Sequence, residues 1–281
     1  MLLVPESVKS AINLIISKNT LSSTYLFHGG LGSFSTKAAM YFGFCLFCNQ
    51  QNFQGNCQAC SNCKKIESEH FPDMITLPNS GTLKIDNIRT LQDRIKYGPS
   101  NSSKLLVIIP NCERFTTESS NAILKTLEEP PKNVIFILTT HSWKSVPLTI
   151  QSRSQTFFIP KTPIKNIKSY IEDKYNFNFN SYPLTYSLLN YLIQHKGVCP
   201  DSYKSFFSFS KLSSHERILY ASSISKDKLF LKPLLYSWLE EIQNETPPNL
   251  SVSNHIISTI KSLNYNVNSQ LQLENLFINH L

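Results

Sequence analysis

The chain has 281 residues, 41% hydrophobic and 16% charged, with a formal net charge of +8. That length accommodates two or three domains with a real core, and the composition is ordinary for a globular protein. No stretch approaches the roughly eighteen apolar residues that a membrane span needs, and Met1 to Glu6 lacks the charged flank of a signal peptide, so the expectation is a cytoplasmic protein with no membrane partner.

The excess charge is spread out, +5 over residues 1–160 (15 basic, 10 acidic) and +3 over the remainder (12 basic, 9 acidic). It permits nucleic-acid contact without marking a dedicated basic surface. Five of the seven cysteines crowd between Cys45 and Cys63, which in a reducing compartment points to metal before disulfide. Cys112 and Cys199 stand alone and read as packing residues.

Ala11, Ile12, Leu14, Ile15 and Ile16 predict an opening helix that stops near Asn19. A strand, Thr24 to Phe27, then runs into His28-Gly29-Gly30-Leu31-Gly32-Ser33-Phe34-Ser35-Thr36. Glycines between a strand and a helix allow positive φ and let backbone N–H groups face a phosphate at the helix's positive end. Measured against G-x-x-x-x-G-K-[ST], Gly29 and Thr36 hold the first and last positions, but Phe34 replaces the second glycine and Ser35 replaces the lysine. The lysine supplies the charge that holds the β and γ phosphates, and a benzyl group at the glycine position obstructs close approach of the backbone. This loop, Gly29, Gly32, Ser35 and Thr36 included, is therefore expected neither to bind nor to hydrolyse ATP.

Cys48, Cys57, Cys60 and Cys63 form C-x8-C-x2-C-x2-C between the helix after this loop and the strand Met74 to Leu77. Four thiolates complete a tetrahedral zinc shell, and two-residue gaps let short turns aim neighbouring sulfurs at one ion. One structural zinc per chain is expected, with no open position for catalysis. Cys45 is left out because the apolar run Tyr41 to Phe47 would bury it in a helix, and His70 would be a redundant fifth ligand. Further on, Asp86 is expected to cap a helix bearing Ile88, Leu91 and Ile95, with Arg89 and Arg94 on its solvated face.

Leu105 to Ile109 and Val134 to Leu138 are unbroken apolar runs, as in buried strands of a parallel sheet. Between them Thr116 or Thr117 can cap a helix whose Ala122, Ile123, Leu124 and Leu127 line one face, and Pro130-Pro131 ends it. This is a βαβ crossover. Thr139-Thr140 ends the second strand, and Gln151-Ser152-Arg153-Ser154 precedes a third.

The run Asn121 to Pro131 (N-A-I-L-K-T-L-E-E-P-P) and the Ser152-Arg153-Ser154 triplet resemble the N-A-L-L-K-T-L-E-E-P-P and S-R-C signatures of clamp-loader ATPases, AAA+ proteins that open sliding clamps on DNA. Ser154 departs from the family's Cys. Lys84 to Arg89 also resembles the family's I-x-V-D-x-I-R segment, and the cysteine spacing is the one at which the family binds structural zinc. The resemblance is strong over roughly residues 20–160 and only an outline beyond.

It implies an α/β fold: an AAA+ P-loop-type parallel sheet with an inserted zinc module (1–160, the module at about 45–70), then a small helical lid (161–202) and an all-α collar (203–281). An active relative ends the Leu105–Ile109 strand with an aspartate for magnesium and a glutamate to orient water, where this chain has Pro110 and Asn111. The lid arginine of active relatives is missing too, since none occurs between Arg153 and Arg217. Arg153 matches the arginine that reaches a neighbour's nucleotide in trans, a finger.

Implied partners are gamma/tau-type ATPase subunits, a delta subunit and, through the complex, the β sliding clamp and primer–template DNA. Two rival readings stand beside this one: an active motor subunit of the same family, and a free-standing zinc-dependent DNA-binding protein. After Ile159-Pro160 helical patterns take over, with Ile164, Ile167 and Ile171 on one face and Leu188, Leu189, Leu192 and Ile193 on another. From about Tyr203 four helices are readable.

Overall fold

A computed structural model describes residues 3–50, 57, 59–79, 81–180, 182–245, 247–263, 265 and 267–279. It divides into two compact units, Met1–Thr162 and Pro163–Leu281.

The first unit runs α1 (Glu6–Ser17), β1 (Thr24–His28), α2 (Ser35–Phe47), α3 (Ser61–Glu67), β2 (Met74–Thr76), α4 (Ile85–Ile95), β3 (Leu105–Ile109), α5 (Thr117–Glu128), β4 (Val134–Thr140), α6 (Leu148–Gln151) and β5 (Gln155–Phe158). The strands form one parallel sheet in the order β2-β3-β4-β1-β5. All of β3 and β4 is buried, which is why neither shows polar alternation.

Their side chains nevertheless alternate between two cores. Leu106, Ile108, Ile135 and Ile137 face Ile12, Ala38 and Phe42 from α1 and α2. Leu105, Val107, Phe136 and Leu138 face Ile88, Leu91, Ile123 and Leu127 from α4 and α5. Helix α2 lies close to the sheet because Gly43 has no side chain: a Cβ there would sit 2.8 Å from Met74 Sδ and 3.0 Å from a Leu106 methyl.

Two expectations are corrected in α4. The helix starts before Asp86, with Lys84 as its N-cap and the Asn87 side chain accepting from the Lys84 N–H at 3.0 Å, so Asp86 lies in the first turn. Arg94 is a strap rather than a solvated charge, donating to Gly98 O and Pro72 O at 3.2 Å each.

The second unit is helical: α7 (Ile164–Tyr175), α8 (Tyr186–Gln194), α9 (Phe206–Ser210), α10 (Ser214–Ile224), α11 (Lys228–Gln243), α12 (Leu250–Ser262) and α13 (Ser269–Asn279). Helix α11 is central, burying Leu231, Leu234, Leu235 and Trp238. Around Trp238 stand Phe209 at 4.5 Å and Phe277 at 5.6 Å between ring centroids, and its indole N–H donates to Lys204 O at 2.9 Å. Among the described residues five helices, not four, follow Tyr203. The additional one, α9, spans little more than a turn, too short to carry a period, and is set by Ser205, whose hydroxyl accepts from the Ser208 N–H.

Candidate functional site

In an open parallel sheet, ligands bind beyond the carboxyl ends of the strands where the strand order reverses. Here β1 lies between β4 and β5, and its exit loop, Gly29 to Phe34, leaves beside the carboxyl ends of those two strands, the Gly29 N–H donating to Thr140 O at 3.2 Å. The loop is stitched to itself and to its own unit. The Ser33 N–H donates to Gly30 O at 3.0 Å, the Ser33 and Ser35 hydroxyls share a hydrogen bond of 3.0 Å, and both serines are fully buried.

The segment after β5 closes over the loop, with the Thr162 N–H donating to Gly32 O at 2.9 Å and the Thr162 hydroxyl to Leu3 O at 2.7 Å. Gly29 is required by that approach, because a Cβ would meet Ile159 O at 2.3 Å. Phe34 caps α2 in the left-handed region, φ 51°, with its ring buried.

Thr139 and Thr140 are the last two residues of β4, as expected. The Thr139 hydroxyl bonds Thr36 Oγ1 at 3.2 Å and accepts from the Asn111 N–H at 3.1 Å. The hydroxyl that would face magnesium in an intact loop is thus tied to the sheet. At the end of β3, Pro110 and Asn111 bring no carboxylate; Asn111 adopts φ 51° and donates through Nδ2 to Asn79 Oδ1 at 2.9 Å. Sequence reasoning missed the Thr36–Thr139–Asn111 link, whose members are 103 and 28 positions apart and carry no local pattern.

The four predicted cysteines do converge: the sulfurs of Cys48, Cys57, Cys60 and Cys63 lie within 4.8 Å of one another. Ligands at about 2.3 Å from a tetrahedral ion stand about 3.8 Å apart, the separation of the Cys57 and Cys63 sulfurs, 3.8 Å. The set fits a metal ion. Cys60 caps α3, and its sulfur accepts from the Cys63 N–H at 3.4 Å. Although desolvation opposes ionisation, backbone N–H groups of Cys63 and Asn49 bring the Cys60 thiol down to about 6. Burial pushes the Cys63 and Cys48 thiols up.

Cys45 stands apart, buried in α2 with its thiol on Asn13 Oδ1 at 3.2 Å, and His70 is not among the grouped ligands. Residues 51–56 and 58 of the cysteine module lie outside the described residues.

Arg153 follows α6 on an exposed turn. Its Nη1 donates to Thr149 O at 2.9 Å and Ser152 Oγ at 3.3 Å, and its Nη2 pairs with the carboxylate of Glu128 at the end of α5. Ser154 donates to Ile150 O at 2.8 Å and so closes α6 with a hydroxyl in place of the family's thiol. In the Asn121–Pro131 signature, Ile123 and Leu127 enter the core, Thr126 accepts from Gln92 at 2.9 Å, and Asn121, Lys125, Glu128 and Glu129 face outward. Thr116, not Thr117, is the cap of α5, accepting from the Ser119 N–H at 3.2 Å.

A five-stranded parallel sheet of the AAA+ kind, a four-cysteine cluster after α2 and a helical second unit define the class of protein. Residues 4–163 match the family model described as DNA polymerase III, delta subunit. The chain belongs to that family, the clamp-loader subunits of the delta'/gamma/tau type. It is 29% identical to the DNA polymerase III subunit delta' of Bacillus subtilis, over 98% of this chain and 95% of that one.

The tau subunits of Bacillus subtilis and Escherichia coli are 36% and 31% identical over 54% and 59% of this chain, and the match spans only about a quarter of their own length, 27% and 26%. A gamma subunit-related protein of Thermotoga maritima shares the fold, with a TM-score of 0.57 at 21% identity, covering 97% of this chain and 98% of that one. Among the described residues no helix is long and apolar enough to cross a membrane.

Proposed function

We propose that this chain is the stator of a clamp loader, the delta-prime-type subunit that does not hydrolyse ATP itself and lends Arg153 in trans to the ATP site of a neighbouring gamma/tau-type subunit. With those subunits and a delta subunit it would act on the β sliding clamp at primer–template DNA. In this reading residues 161–202 are the lid and 203–281 the collar that holds the ring together.

The observation that carries the proposal is the state of the loop after β1. A phosphate cradle needs free N–H groups, a lysine ammonium and a magnesium-binding hydroxyl. Here Ser35 stands at the lysine position, buried and bonded to Ser33, and the Thr36 hydroxyl is bonded to Thr139. Pro110 and Asn111 supply neither the carboxylate for magnesium nor the one that orients water. An arginine finger asks nothing of its own pocket, since it acts by placing a fixed positive fork beside charge that develops on another chain's phosphate. Arg153 lies outside the core, on a turn pinned by α6.

The cysteine cluster supports one structural zinc held by Cys48, Cys57, Cys60 and Cys63, a closed shell that stabilises the module and offers no reactive position. A motor ATPase of the same family is the rival reading, and isothermal titration of the isolated chain with Mg-ATP separates them. No binding heat up to millimolar nucleotide and no phosphate release are expected; micromolar binding with turnover would overturn the proposal. The reading as a free-standing zinc-dependent DNA-binding protein predicts salt-dependent DNA affinity of the lone chain that chelation abolishes.

A further inference from the structure

Three contacts hold the Arg153 guanidinium. Two come from α6 and the turn that follows it, Thr149 O and Ser152 Oγ, and both hold Nη1. The third is Glu128, 25 positions earlier, on the last turn of α5. Among the described residues it alone ties the guanidinium to an element beyond α6 and its turn, and it holds the Nη2 side of the fork as the other two hold Nη1.

A guanidinium carries five N–H donors. Nη1 donates its hydrogens to Thr149 O and Ser152 Oγ, Nη2 sits in the ion pair with Glu128, and Nε has no partner among the described residues. Glu128 is itself rigidly mounted. Its helix buries Ile123 and Leu127, is joined to α4 through the Gln92 side chain on Ala122 O and Thr126 Oγ1, and is stopped by Pro130.

We infer that Glu128 is a positioning residue for Arg153: it holds the Nη2 side of the guanidinium in one orientation, with N–H donors left for an anionic phosphate offered by an adjoining chain. This rests on the finger reading above. An unrestrained arginine samples many rotamers and must be ordered at each encounter, whereas a pre-oriented fork loses less freedom. The opposite role, a carboxylate that withholds the arginine by competing with phosphate, predicts the opposite sign.

The test is steady-state ATP turnover of the full clamp-loader complex reconstituted with this chain carrying Glu128→Ala, Arg153→Ala, both, or neither. Thermal stability and assembly serve as controls. Arg153→Ala defines the finger's share of turnover. Glu128→Ala is expected to lower kcat at the served site about threefold, the scale of an exposed ion pair, with KM for ATP unchanged. The double variant should equal Arg153→Ala alone, because Glu128 acts only through the arginine. Glu128→Gln, which keeps an acceptor without the charge, should fall between Glu128→Ala and the unmodified chain.

Loss with Arg153→Ala but none with Glu128→Ala overturns the positioning role and leaves the finger. A rise with Glu128→Ala, or additive losses in the double variant, also overturns it. No loss with Arg153→Ala removes both readings.

Discussion

Phe34 sits where an intact nucleotide loop needs glycine, and it pays for the left-handed φ of 51° by burying its ring. Substituting Phe34→Gly would relieve roughly 1 kcal/mol of backbone strain but forfeit burial that, for Phe→Ala in a core, is worth about 3–5 kcal/mol. The expected net loss, on the order of 2 kcal/mol, is read from denaturant unfolding; a stabilised variant would show that the ring contributes nothing.

Ser35→Lys tests the pocket from the other side. Because the Thr36 hydroxyl is held by Thr139 and the two residues directly after β3, Pro110 and Asn111, carry no carboxylate, the restored ammonium alone is expected to give no ATP turnover, measured as phosphate release from the isolated chain. At these positions the sequence was informative because the loop is a fixed spacing in which each departure removes a nameable group. The sheet-side hydrogen bonds of Thr139 were invisible, since they join residues far apart in the chain. Arg153 was legible as a residue but not its partner Glu128, for the same reason.

Among the elements, α5 and the cysteine module came through most clearly. Thr116 and the Pro130-Pro131 stop delimit α5, and the cap is expected to contribute about 1 kcal/mol, so Thr116→Ala should lower stability by that amount in chemical denaturation. The start of α4 was misplaced because an Asx-type side chain at Asn87, reaching back to Lys84, competes with Asp86 for the capping role. Helix α9 was missed because a five-residue element has no period to detect.

For the cysteine module, metal analysis should return one zinc per folded chain, lost when Cys57 and Cys60 become Ser; a folded, metal-free wild-type protein would contradict the module. Since burial holds protons on Cys48 and Cys63, zinc uptake near neutral pH should release protons, and affinity should fall as pH falls.

The helical unit has its own titration. Glu241, at the end of α11, accepts from the Phe206 N–H at 2.9 Å, but burial dominates and raises its carboxyl from an ordinary 4.5 to about 7. The folded state then binds the proton more tightly than the unfolded one. The contribution is full below about 4.5 and is lost as pH rises through about 7. Thermal melts from pH 5 to pH 8 should show this unit weakening, and Glu241→Gln should flatten the dependence.

At the scale of the whole molecule, two units carry different kinds of information. The sheet unit announces itself through motifs, because its edge loops must present particular groups at particular strands. The helical unit has only apolar stripes, which serve an internal core and a partner equally well; here the stripes around Leu231, Leu234 and Trp238 are spent on the unit's own core. Tyr191 of α8 joins that same core, so packing alone does not mark the boundary at 202 that the helical patterns suggest.

In the proposed stator, a nucleotide loop closed by its own hydrogen bonds coexists with an arginine that serves another chain. The most direct test is ATP turnover of the clamp-loader complex reconstituted with the Arg153→Ala chain. The complex should still assemble, and its turnover should drop. Unchanged turnover in a fully assembled complex would contradict the proposal.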